Sequence, residues 1–111
     1  MASGDFDESV LAGLRQKLND AVVDELVQLF GQTVRERLVE LAASCKAGDR
    51  ERVAAALHSI KGSAQLVGAL RLGTLAAEGE ARARTGDLKA PDRLLRKVTE
   101  AFETVARDLD V

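Results

Sequence analysis

The sequence predicts an all-α protein: an antiparallel up-down four-helix bundle with a short additional N-terminal helix. Three observations predict it. Apolar residues recur at i, i+3, i+4 and i+7 from one end of the chain to the other, and no stretch alternates with period two. The composition is 46% hydrophobic and 31% charged with a single proline, which suits a folded helical protein and not a disordered tail. Helix stops divide the periodic segments into lengths joined by short turns, and short turns set neighbouring helices antiparallel.

Each element can be justified in order. Phe6, Val10, Leu11, Leu14 and Leu18 make the stripe of a short first helix. The second helix runs from about Asp20 to about Lys46, some seven turns, with Val22, Val23, Leu26, Val27, Phe30, Val34, Leu38, Leu41 and Cys45 along it. Gly48 stops it, and Asp49 can accept hydrogen bonds from the free amides that open the third. The third spans about Arg50 to Ala69 and sends Val53, Ala56, Leu57, Ile60, Ala64 and Val67 to one side. The fourth, about Leu70 to Thr85, does the same with Leu72, Leu75, Ala76, Gly79 and Ala83, and Gly86 stops it. Pro91 suits the first turn of a last helix, where its missing N–H is not needed, and Asp92 complements the helix dipole. Leu94, Leu95, Val98, Ala101, Phe102, Val105 and Leu109 then form the final stripe.

Residues 1–111 read as a single domain, long enough to bury one core and too short for two. No repeat, low-complexity segment or linker divides them. Sixteen basic residues against 18 acidic leave a net charge of −2 without like-charge blocks, so neither nucleic acid nor a membrane is an expected partner. No apolar run approaches the roughly 18 residues of a membrane span, and the N-terminus lacks a basic-then-apolar signal, which makes the cytoplasm the expected location. A start methionine and a last helix reaching Val111 favour a free-standing protein, although a domain excised from a larger chain would read the same. Cys45 is alone and is read as a small buried hydrophobe, and one histidine gives no soft ligand set for zinc. Nothing demands more than a monomer.

The chemistry concentrates in the third helix. If Leu57 and Ile60 face the core, His58 turns about 100° away toward solvent. Lys61, Gly62 and Gln65 lie three, four and seven residues on and share its face. A mid-helix glycine costs about 1 kcal/mol against alanine. Gly62 therefore points to close approach by something else, with Ser63 and Ala64 keeping the neighbourhood small. Lys61 sets a positive charge one turn from the ring, which suits an incoming phosphoryl dianion. Singly these residues say little: a lone helical histidine is as a rule an ordinary one, and a lone glycine can serve helix packing. It is their combination that points to chemistry.

The segment "HSIKGSAQLVGALRLGTLAAEGEARARTGD" resembles the histidine-containing phosphotransfer domain of bacterial two-component phosphorelays. That family's pattern is His-x-x-Lys-Gly-Ser/Ala-x-x-x-x-Gly before a Leu-rich helix, and His58, Lys61, Gly62, Ser63 and Gly68 fill those places in order. In helix pattern the resemblance covers about residues 5 to 110. It implies a phospho-accepting His58 that exchanges a phosphoryl group with an aspartate of a response-regulator receiver domain. Lys61 would steady phosphoryl oxygens or the partner's acidic pocket, Gly62 would clear space for docking, and Gly68 would end the helix. Several members carry Gln or Glu 22 residues after the histidine, bonded to its inner ring nitrogen; here that residue is Glu80. Gln65 stands where the family often has Asn or a small residue, and Gly79 where it has a larger one.

The implied partners are receiver domains and a sensor histidine kinase. The chain would carry no cofactor of its own, Mg²⁺ being expected on the receiver. Without a phosphate-cradling glycine loop it would not make phosphohistidine by itself, which leaves its status as an enzyme open. Ala55, with Gly62, Ser63 and Gln65, is a candidate docking residue, and Ala54, Leu66 and Ala69 are further candidates on the flanks. Two other readings remain: the phospho-accepting substrate domain of a chemotaxis-type kinase, and a helical adaptor that transfers nothing.

Overall fold

Capping chemistry divides the chain where the apolar periodicity does. A computed structural model describes residues 5–111, so the first four residues of the domain read as 1–111 lie outside the described residues. Among the described residues the order is α1 (Glu8–Lys17), α2 (Asp20–Ala47), α3 (Arg50–Val67), α4 (Leu70–Thr85) and α5 (Pro91–Leu109), with no strand. The side chains of Asp7, Asn19 and Asp49 accept from the backbone amides of Ser9, Val22 and Arg52, opening α1, α2 and α3. Pro91 begins α5.

Helix α2 packs against α3 and α5, α4 packs against the same two, and α1 lies on α2 and α3. The seam between them holds Val23, Phe30, Val34 and Leu41 of α2 and Leu57, Ile60, Ala64 and Val67 of α3. From the other side come Leu72 and Ala76 of α4 with Val98, Phe102 and Val105 of α5. Each large side chain in this seam contributes about 1.5–3 kcal/mol by leaving water. Phe30 and Phe102 join α2 to α5 in a tilted pair with centroids 5.8 Å apart, and the Arg35 guanidinium covers the Phe102 ring at 5.3 Å.

Three sequence expectations need correction. Val22 is exposed, because the seam of α2 runs through Val23, Val27, Phe30 and Val34, and the residue before Val23 is rotated off it. Cys45 is half-buried at the edge of the core, with burial and the Asp92 carboxylate pushing its thiol pKa up. Helix α3 stops at Val67 and not at Ala69, since Gly68 takes φ +79° and the Ala69 N–H returns to the Ala64 carbonyl. Gly79, by contrast, leaves α4 unbroken: a Cβ there would come within 2.9 Å of both Leu94 methyls and 3.0 Å of a Leu57 methyl. It is a site of close packing between α4, α5 and α3.

The segment ahead of α1 crosses the α3–α4 turn. Asp7 N–H donates to the Gly68 carbonyl at 2.7 Å, and Arg71 N–H donates to the Asp5 carbonyl at 3.4 Å. Gly68 is buried beneath this strap, where a Cβ would meet the Asp7 carbonyl oxygen at 2.5 Å and Val10 at 3.0 Å. Gly68→Ala is therefore expected to cost about 2 kcal/mol or more, from the left-handed backbone and the clash together. Urea unfolding followed by helical circular dichroism measures it; a loss under half that size would show that the strap yields.

Candidate functional site

Leu57 and Ile60, both fully buried, fix the rotation of α3, and that rotation turns His58 outward with 63% of its side chain exposed. The ring leans toward α4, where Glu80 Oε2 lies 3.0 Å from Nδ1. Because a carboxylate can only accept, Nδ1 carries the proton and donates it to Glu80. In the neutral ring so held, the lone pair lies on Nε2, at the far edge.

Glu80 is 7% exposed, and it is the charged residue of the core. Lys61 Nζ lies 3.0 Å from Oε1, and Arg84 donates from Nε at 3.1 Å and Nη2 at 2.9 Å to Oε2. Burial by itself would raise the pKa of this carboxyl, because desolvation penalises the charged form. The bonds and charge of Lys61, the Arg84 bonds and the His58 bond outweigh it and hold Glu80 at about 2. The two cations exceed the one anion, so the surroundings of His58 are net positive.

Three predicted residues, His58, Lys61 and Glu80, thus meet in one cluster across α3 and α4. Lys61 is engaged with Glu80, where the resemblance implied a role toward phosphoryl oxygens or an acidic pocket. Gly62 lies exposed one turn beyond His58, and a Cβ there would meet nothing within 4 Å. Among the described residues no packing requires that glycine. Ala55, Gln65 and Leu66 are exposed and Ser63 is half-buried, and no hydrogen bond joins Gln65 to the cluster. Ala54 and Ala69 are corrected: each is about 1% exposed and cannot flank a docking surface. Ala54 is enclosed because α3 packs on α2 and α4 at once, so its buried face is wider than a single stripe; Ala69 lies in the turn beneath the residues before α1.

Sequence reasoning does not single out Arg84. Its signal is the Glu80–Arg84 spacing of i, i+4, an ordinary surface pair in most helices; the burial of Glu80 gives it weight here. Among the described residues no group of three or more His, Cys, Asp or Glu side chains could hold a metal ion, and no helix is long and apolar enough to cross a membrane.

The depressed pKa of Glu80 has a defined sign. Its folded value of about 2 lies below the ordinary 4.5, so its contribution to stability is present above pH 4.5 and is lost as the pH falls through 2. Urea midpoints at pH 7 and pH 2 should therefore drop further for the wild type than for Glu80→Gln. Equal drops would mean that Glu80 titrates as an ordinary carboxylate.

The same arrangement of helices occurs in known proteins. A family model for the Hpt domain matches residues 25–108. The crystal structure of histidine-containing phosphotransfer protein B (HptB) from Pseudomonas aeruginosa PAO1 superposes with a TM-score of 0.92 at 29% sequence identity, covering 98% of this chain and 94% of that one. No curated protein matches the chain. The family match spans α3 and α4 together with the whole His58 cluster, and the chain belongs to the Hpt domain family.

Proposed function

We propose that the protein is a phosphorelay intermediate that accepts a phosphoryl group on Nε2 of His58 and exchanges it with an aspartate of a response-regulator receiver domain. The observation that carries this reading is the exposed imidazole whose inner nitrogen is held by a buried, ionised Glu80. Membership of the Hpt family supports histidine phosphotransfer within two-component signalling. Exchange with a receiver aspartate is the further step in this reading.

The chemistry grows out of the geometry. The Nε2 lone pair attacks phosphorus of the aspartyl phosphate, the P–O bond to the aspartate breaks, and the carboxylate leaves with its electron pair. The ring gains positive charge as the P–N bond forms. Glu80, already ionised 3.0 Å from Nδ1, faces that charge without rearrangement, and Nδ1–H stays in place throughout. The reverse step uses the same contacts. Lys61 and the net positive surroundings favour approach of the dianionic phosphoryl group. The receiver would supply the acidic pocket and Mg²⁺.

Ala55, Gly62, Ser63 and Gln65 would form the docking rim. Gly62 serves it by leaving a gap in the helix surface, a space that none of the described residues uses. The pairings of α2 through α5 and their short connections support an antiparallel up-down four-helix bundle with α1 appended. We read the 111 residues as one domain, monomeric and cytoplasmic, that receives its phosphoryl group through a sensor histidine kinase.

Incubation with phosphorylated receivers should leave acid-labile, base-stable label on the wild type and none on His58→Gln. A wild type that stays unlabelled across a panel of receivers would instead make the protein an adaptor. Gly62→Gln should fold with stability unchanged or raised by up to about 1 kcal/mol, yet transfer at least about tenfold more slowly because its side chain fills the docking gap. Transfer at the wild-type rate would remove Gly62 from the interface.

A further inference from the structure

The oxygen that holds His58 is not held by His58 alone. Oε2 of Glu80 takes the imidazole Nδ1–H at 3.0 Å and also two donors from Arg84, Nε at 3.1 Å and Nη2 at 2.9 Å. Lys61 occupies the other oxygen at 3.0 Å. The groups facing the carboxylate are thus His58 and Lys61 from α3 and Arg84 from its own helix, one turn on. A carboxylate with one oxygen on Lys61 and the other gripped by a planar two-donor fork has little freedom to rotate.

We propose that Arg84 is a positioning residue that acts on His58 through Glu80, fixing the carboxylate so that the imidazole proton stays on Nδ1 and the lone pair stays on Nε2. This rests on the reading of His58 as the phosphoryl acceptor, and deepens it. Without the fork, Oε2 is free to swing toward Lys61 and solvent. His58 then loses the acceptor that selects its tautomer, and part of the population moves its proton to Nε2, where no lone pair remains for attack. Arg84 itself is 58% exposed, but its partner Glu80 is buried, so losing the fork is expected to cost some stability as well. A purely structural role would not move the ring's proton, so the state of the imidazole in the folded variant is what separates positioning from stability.

His58 is the only histidine, so its ring nitrogens can be read without assignment ambiguity in the intact protein. Long-range ¹H–¹⁵N spectra above the titration range should show the wild type with a protonated Nδ1 and a bare Nε2. Arg84→Gln should move the two nitrogen shifts toward each other as the second tautomer appears, and slow transfer from a phosphorylated receiver by about tenfold. Arg84→Lys, which keeps the charge with one donor in place of the fork, should fall between the two. Ring shifts in Arg84→Gln identical to those of the wild type would overturn the proposal, whatever the transfer rate. If the shifts change as expected but the wild type transfers nothing, the positioning role stands and the phosphotransfer reading is what fails.

Discussion

A carboxylate buried between two helices, and kept charged there, is the constraint around which this protein's site is arranged. Removing an ion from water is costly, and Glu80 persists as an anion only because donors converge on it from both sides of the α3–α4 seam. The arrangement works in both directions. Lys61 and Arg84 keep Glu80 ionised, and the ionised Glu80 keeps the imidazole in one orientation and one tautomer. An exposed histidine would otherwise turn freely and divide its proton between two nitrogens. On the proposed reading, the buried charge is what turns an ordinary surface side chain into a directed nucleophile.

The scaffold is asymmetric about this point. On one side of His58 the helices close tightly, with Gly79 admitting Leu94 and Leu57 to distances that a methyl group would prevent. On the outer surface Gly62 leaves space that none of the described residues fills. The same residue type serves opposite ends: one glycine lets the core contract beneath the site, and the other keeps the surface open above it.

Much of this is legible in the sequence, for identifiable reasons. Helix limits come from Asp49, Gly48, Gly86 and Pro91, whose side chains or backbone freedom act locally and need no partner. The His58–Glu80 pairing comes from the spacing of the family pattern and survives because the intervening turn is only two residues long. The features that escape the sequence depend on contacts distant along the chain. The enclosure of Ala54 comes from two neighbouring helices at once, and that of Ala69 from a segment some sixty residues earlier. Arg84 is visible as an i, i+4 neighbour, but its importance depends on the burial of Glu80, which no local pattern reveals. Val22 and Val23 look alike in sequence, and only the seam chosen by the other helices separates them.

The strap over Gly68 has a bearing on how this domain can vary. His58 and Glu80 face each other only because α4 leaves the turn at one fixed rotation, and each residue added to or removed from a helix turns the remainder of that helix by about 100°. A single-residue insertion in the first turn of α4 would rotate Glu80 by about 100°, off the face that meets His58, even if every helix still formed. Loops that merely connect elements can lengthen freely; this one sets the phase between two helices, and the backbone bonds from Asp5 and Asp7 clamp that phase from outside. The length of the hinge is thus under chemical constraint, although none of its atoms touches the imidazole.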